Sequence, residues 1–178
     1  MKSLSRQSLL ATAHHEAGHA VAAFVMNLPV NRISIFRFGG SVLHHSSFYR
    51  TIDPESMKHT RPLQFRDRVE RNVIVALAGA EAQRRFSPRS WRRHHSEVDL
   101  HNAIAMLSHV AEEEEELKAH FALLRIRTQN LINIRWTAVT ALANALVDRS
   151  KVFSGGKQGW TMTGKEARQV VLDHLRRP

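Results

Sequence analysis

The stretch Thr12-Ala13-His14-His15-Glu16-Ala17-Gly18-His19-Ala20-Val21 decides how the rest of the chain is interpreted. It contains the pattern His-Glu-x-x-His, formed by His15, Glu16 and His19. On an α-helix, residues i and i+4 lie on the same face, so the two imidazoles can bind one metal ion together. The carboxylate of Glu16 can then act as general base on water bound to that ion. The pattern therefore predicts a metal site on a helix, with zinc as the expected ion.

The residues around the motif predict a largely buried helix over positions 8–27, which Pro29 is expected to end. Gly18 in its interior costs about 1 kcal/mol relative to alanine, so we expect a close approach of backbone or ligand there. Buried imidazoles and carboxylates need partners, which favours a metal site. The alternative is a partly exposed helix with ordinary surface histidines.

A zinc site needs a third protein ligand, and the segment 96–107 offers the best source. Ser96 is expected to cap a helix there, and Asp99 falls in the first turn, where its charge also complements the helix dipole. Residue chemistry alone does not separate five candidates for the third ligand: Asp99, Glu97, His101, His94 and His95.

The run His15-Glu16-Ala17-Gly18-His19-Ala20-Val21 closely resembles the active-site helix of the FtsH-type ATP-dependent zinc metalloproteases. The resemblance continues in order over most of the chain from Ala13 onward. Its further segments are Val30-Asn31-Arg32-Ile33-Ser34-Ile35 with Gly39-Gly40, Ile74-Val75-Ala76-Leu77-Ala78-Gly79-Ala80-Glu81-Ala82, residues 96–103, Ala143-Asn144-Ala145-Leu146-Val147 and Thr163-Gly164-Lys165-Glu166.

This resemblance implies a mainly α, multihelical zinc-metallopeptidase domain with a small β-hairpin or sheet after the active-site helix. It implies that His15, His19 and Asp99 bind Zn²⁺ and that Glu16 is the catalytic base. It also implies an extended polypeptide substrate lying along an edge strand near residues 32–38. A catalytically silent relative that acts as a protein-interaction module is the first alternative.

The chain also departs from the family. It carries neither the ATPase module nor the membrane spans, and Gln83-Arg84-Arg85 stands where the family usually has acidic residues. The loop 86–95 is strongly basic, and the glutamate run 112–116 has no counterpart in the family that can be placed. We therefore expect a stand-alone peptidase that cleaves flexible or unfolded polypeptides, with a separate ATPase or a homo-oligomer left open as partners.

Length and composition agree with this expectation. The 178 residues predict one domain, 1–178, and the chain contains no cysteine, so a transition-metal site must use His, Asp or Glu. No apolar stretch is long enough for a membrane span, and the N-terminus lacks a signal-peptide pattern, so a cytoplasmic protein is expected.

The net charge of +10 raises nucleic-acid binding as a second alternative. The densest basic cluster is a set of five arginines around one tryptophan: Arg84, Arg85, Arg89, Arg92, Arg93 and Trp91. No helix-turn-helix, RNA-recognition or zinc-finger pattern accompanies the cluster, so we favour a solvated loop or a docking surface for an acidic partner or an unfolded chain. The glutamate run is expected on an exposed helix face that partly neutralises basic neighbours.

Periodicity predicts helices over residues 8–27, 63–86, 96–118, 120–150 and 164–176. Strands 32–38 and 41–48 are expected to form a hairpin around Gly39-Gly40, with a mobile loop from Asp53-Pro54 and a turn over 151–159. The glycine and lysine spacing in 159–165 imitates a phosphate-binding loop, but Thr163 and Glu166 form a capping box that explains these residues without nucleotide. The predicted core includes Leu131, Ile132, Ile134 and Trp136.

Overall fold

The computed structural model describes residues 6–36, 62–89, 97–152 and 159–175. Within these ranges the protein is mainly helical, with six helices and one small antiparallel sheet, as the sequence predicts. The elements are α1 (Arg6–Val25), β1 (Arg32–Phe36), α2 (Pro62–Phe86), α3 (Glu97–Leu107), α4 (Glu114–Ile134), α5 (Trp136–Val152), β2 (Gly159–Thr163) and α6 (Gly164–Leu175). Among them, no helix is both long enough and apolar enough to cross a membrane.

Helix α1 is buried along most of its length, as its apolar flanks predict, and it packs against α2 and α5. It ends before Pro29 is reached. Asn27 takes a left-handed backbone conformation with φ of 55°, and the amide of Leu28 donates to the carbonyl of Ala23. These two features form a Schellman-type helix end, so the local backbone stops the helix rather than the proline.

Close contact between α1 and α2 depends on small residues. A Cβ atom on Gly18 would lie 2.6 Å from the carbonyl oxygen of Ala78 and 2.6 Å from the Cβ of Ala82. The predicted close approach at Gly18 is therefore confirmed, and the neighbour is the backbone of α2. This contact brings the motif helix against the helix that supports it.

The sheet consists of β1 and β2 paired antiparallel, with Arg32 opposite Thr163 and Phe36 opposite Gly159. Strand β2 is not among the elements predicted from the sequence, which favours a turn over 151–159. Met162 is buried whereas Thr161 and Thr163 are exposed, which is the alternation of a half-buried strand. The predicted hairpin partner 41–48, its turn and the loop from Asp53 lie outside the described residues.

The prediction of one helix over 96–118 is wrong, because α3 ends at Leu107 and α4 begins at Glu114. The amide of Ala111 donates to the carbonyl of Leu107 in the turn that follows α3. Glu114, Glu115 and Glu116 occupy the first turn of α4, where acidic residues complement the positive end of the helix dipole. The exposed carboxylate of Glu116 also pairs with Arg66 at 2.8 Å, as expected for a run that neutralises basic neighbours.

The prediction of one helix over 120–150 is also wrong, since the chain turns at Arg135 between α4 and α5. Leu131 and Ile132 are buried as predicted, but Ile134 is 73% exposed and does not belong to the core. Trp136 is only partly buried. The corner at Arg135 turns Ile134 towards solvent.

The capping box at the start of α6 is confirmed. The carboxylate of Glu166 accepts hydrogen bonds from the Thr163 amide and hydroxyl, and the Glu166 amide donates to the Thr163 hydroxyl. The amide of Gly164 donates to the carbonyl of Asn31, and glycine is required there because a Cβ would lie 1.6 Å from the carbonyl oxygen of Val30. The phosphate-loop spacing thus has a structural explanation.

Candidate metal centre

Helix α1 supplies the three side chains of the His-Glu-x-x-His motif to one buried region. His15 and His19 lie one turn apart, and their Nε2 atoms are 3.0 Å from each other. His15, Glu16 and His19 are 8%, 1% and 3% exposed. The helix therefore directs both imidazoles toward a common point inside the protein.

Asp99 completes the group from the first turn of α3, 84 residues after His15. Its Oδ2 atom lies 3.2 Å from Nε2 of His15 and 3.4 Å from Nε2 of His19. Ligand atoms bound tetrahedrally to zinc at about 2.0–2.1 Å are separated by about 3.3–3.4 Å. The structure thus brings together the three predicted ligand residues at separations that suit a single small cation.

The backbone of α2 fixes the orientation of His19. Its Nδ1 lies 2.7 Å from the carbonyl oxygen of Val75, and since a carbonyl only accepts, Nδ1 is the donor. In a neutral imidazole, a proton on Nδ1 leaves the lone pair on Nε2. In this neutral form the Nε2 lone pair lies 3.4 Å from the oxygen of Asp99, so a cation between the two atoms would remove their repulsion, whereas a protonated imidazole would donate a hydrogen bond to Asp99.

The electrostatics of Asp99 point the same way. Burial alone would raise the pKa of Asp99, but the charges and hydrogen bonds of His19 and His15 outweigh burial and hold this pKa well below its usual range. The buried carboxylate is therefore anionic and requires a compensating positive charge. Protons on the imidazoles or a metal ion can provide that charge.

Glu16 lies beside the three ligand atoms without being one of them. Its Oε1 is 3.8 Å from Nε2 of His15, and the side chain is buried. The carboxylate is thus close enough to the ligand group to contact a water molecule bound there, which is the position that the motif predicts for a general base.

Two supporting features were not predicted from the sequence. One is the Val75 carbonyl, which has no sequence signal because any residue provides a carbonyl. The other is Gly79, where a Cβ would lie 2.2 Å from Nε2 of His19. Gly79 lies within the segment that resembles the peptidase family, and its lack of a side chain makes room for the His19 ring.

The other described candidates for the third ligand do not join the two imidazoles. Glu97 and His101 are exposed on α3 and take no part in the ligand group, whereas His94 and His95 lie outside the described residues. The structure therefore selects Asp99 among the described candidates. No hydrogen-bond partner for the buried Nδ1 of His15 occurs among the described residues.

His14 points away from the ligand group. Its Nδ1 donates to the carbonyl of Leu10, and its ring stacks on Phe86 at 3.8 Å and on Trp136 at 5.5 Å between ring centres. Burial lowers the pKa of His14 against the opposing effect of the Leu10 hydrogen bond. His14 thus packs between α1, α2 and α5 as a neutral ring.

Two arginines of the basic cluster, Arg84 and Arg85, make contacts within the protein. Arg84 pairs with Glu81 at 2.8 Å, and Arg85 bonds to Asn133 and lies 4.5 Å over the Trp136 ring. Trp91, Arg92 and Arg93 lie outside the described residues. These contacts account for two of the arginines without an external ligand.

No protein-family model and no curated protein matches this chain. The metal centre is therefore defined by its own geometry, which shows a buried group of two imidazoles and one carboxylate able to hold a metal ion.

Proposed function

We infer that the protein is a zinc-dependent metallopeptidase, in which His15, His19 and Asp99 hold the zinc ion and Glu16 acts as the base. The observation that carries this proposal is the mutual separation of the three ligand atoms, 3.0–3.4 Å, in a buried site next to a fourth ionisable group. Resemblance of the same segments to the FtsH-type peptidase domain supports the assignment.

The donor set favours zinc. Two imidazoles and one carboxylate, with no thiolate in the chain, are typical of catalytic zinc sites that leave the fourth position open. Mononuclear iron(II) oxygenases use the same set of donors. Glu16 favours a zinc hydrolase over an iron oxygenase. A carboxylate next to the first ligand histidine is required for hydrolysis and has no role in the iron chemistry.

The residues of the chain then have separate tasks in peptide hydrolysis. Zinc, when bound, supplies the Lewis acidity that makes water a nucleophile near neutral pH and polarises the scissile carbonyl. Glu16 accepts the proton from the attacking water and delivers it to the leaving amine nitrogen. Val75 keeps the lone pair of His19 directed at the centre, and burial excludes bulk water from the reacting atoms.

The substrate in this proposal is an extended, flexible polypeptide. Strand β1 follows α1 and packs against it, and β2 occupies one edge of β1. Among the described residues the other edge of β1 has no partner strand, and a substrate strand would add there by backbone hydrogen bonds. A folded substrate would have to be unfolded first, for example by a separate ATPase.

Glu16→Gln is the decisive variant, because glutamine keeps the size of the side chain and loses its basicity. Untagged wild type and variant are loaded with zinc and incubated with a fluorescently labelled, unfolded polypeptide. We expect equal zinc content, cleavage by the wild type, and a loss of at least 10²-fold in the variant. Undiminished cleavage by the variant would contradict the role of Glu16, and zinc binding without cleavage by the wild type would favour the silent relative.

A further inference from the structure

The outward face of α4 is apolar and lies away from the metal centre. Leu123, Ile126 and Ile134 are 44%, 56% and 73% exposed, although a helix of a soluble protein normally turns such residues inwards. The opposite side of α4 is buried through Leu124 and Leu131. The exposed aliphatic side chains thus belong to a second apolar face of the same helix.

Over four turns this face carries no charged residue. A period of 3.6 residues per turn places seven uncharged side chains on it: Ala119, Ala122, Leu123, Ile126, Asn130, Asn133 and Ile134. The spacing alternates between four and three residues along the central positions 119, 123, 126, 130 and 133, which is typical of the contact line between paired helices. Asn130 is one of these positions. The face is about 22 Å long at 1.5 Å per residue.

Charges of opposite sign lie at the two ends of this face. Glu113 and Glu115 are exposed at the start of α4, within the glutamate run 112–116, whereas Glu114 pairs with Lys118 of the same helix at 2.6 Å. At the other end lie Arg135 and Arg85, which bonds to Asn133. The dipole of α4 has its positive end beside the glutamates and its negative end beside the arginines.

We propose that this face binds a second copy of the chain, with the two α4 helices packed antiparallel around a twofold axis near Ile126. Ala119 of one copy then lies opposite Asn133 of the other, and the glutamates of one copy lie near Arg135 of the other. A parallel pair would instead place both glutamate runs side by side, and like charges would repel. The charge distribution therefore selects the antiparallel pairing.

The expected dimer is weak. A contact one helix wide and about 22 Å long buries less than the roughly 1,200 Å² typical of stable complexes. We therefore expect a dissociation constant of about 1–100 µM, so that dimers form in concentrated solution. The proposal does not depend on zinc or on peptidase activity.

Sedimentation velocity tests the dimer on the untagged wild type from about 1 µM to about 200 µM. We expect the weight-average mass to rise from near the monomer value towards the dimer value over this range, for the wild type and for Leu63→Glu, a control at an 82% exposed leucine on α2. Ile126→Glu should stay monomeric with an unchanged circular dichroism spectrum. A wild type that is monomeric throughout, or an Ile126→Glu variant that still dimerises, would overturn the proposal.

Cysteine cross-linking tests the direction of the pairing, and the absence of native cysteine makes single sites selective. In the antiparallel pair, residue 126 lies near the twofold axis, so the cysteines of two Ile126→Cys chains should form a disulfide with each other. Two Ala119→Cys chains should not, because residue 119 lies far from the axis. A mixture of Ala119→Cys and Asn133→Cys should form the mixed disulfide. Self-linking of Ala119→Cys in dilute oxidant would show a parallel pair and contradict the proposal.

Discussion

Replacing Gly79 with alanine tests whether the metal centre depends on the close contact between α2 and the His19 imidazole. The added Cβ would lie 2.2 Å from Nε2 of His19, whereas ordinary contact begins at 3.4 Å, so the ring must retreat by about 1.2 Å. A zinc–nitrogen bond of about 2.0–2.1 Å tolerates deviations of only about 0.2 Å. His19 can no longer bind the ion, and we expect zinc affinity to fall by at least 100-fold.

Thermal unfolding with and without zinc measures this loss for Gly79→Ala. Free zinc at 100 times its dissociation constant stabilises the wild type by about 2.7 kcal/mol, and a 100-fold weaker site gains only about 0.4 kcal/mol. The difference corresponds to a zinc-dependent rise in melting temperature that is about 5–9 °C smaller in the variant. Comparing each protein with its own zinc-free sample removes the helix-propensity effect of alanine. An equal zinc-dependent rise in both proteins would refute the role of Gly79.

Two further substitutions test the fold around the site. Gly18→Ala should lower stability by about 1–3 kcal/mol in urea, with or without zinc, because its Cβ would overlap the backbone of α2; an unchanged urea midpoint would contradict this. Glu166→Gln tests the pH dependence, since hydrogen bonds from Arg149 and then Thr163 lower the pKa of Glu166 to about 2. A lowered folded-state pKa gives stability that is complete above the ordinary value of 4.5 and is lost as pH falls towards 2, so the wild type should lose more urea resistance than the variant between pH 6 and pH 3. Equal losses would show that this carboxylate does not contribute.

The ligand group was predictable because its chemistry leaves a local pattern. His15 and His19 share a helix face by spacing alone, and the structure confirms that they meet. Asp99 was not separable from its neighbours by residue chemistry, and the family resemblance singled it out before the structure showed its contacts with both imidazoles. Whether Asp99 or Glu97 meets the imidazoles depends on how α3 packs in the fold, which sequence spacing does not reveal.

The helix boundaries that failed carry weak local signals. Neither glycine nor proline marks the turn after Leu107 or the corner at Arg135, so periodicity extended each helix through the break. The glutamates at the start of α4 were a usable signal, because acidic residues favour a first helical turn. Strand β2 is short, and its pairing with β1 across more than 120 residues depends on the tertiary fold.

Zinc content of untagged protein, wild type beside Asp99→Ala, tests the central claim most directly. A tag is avoided because additional histidines bind metal themselves. After incubation with equimolar zinc and removal of excess, we predict about one zinc ion per wild-type chain and much less in the variant, with both proteins folded. A wild type without zinc, or an Asp99→Ala variant that binds it equally well, would contradict the proposed metal centre.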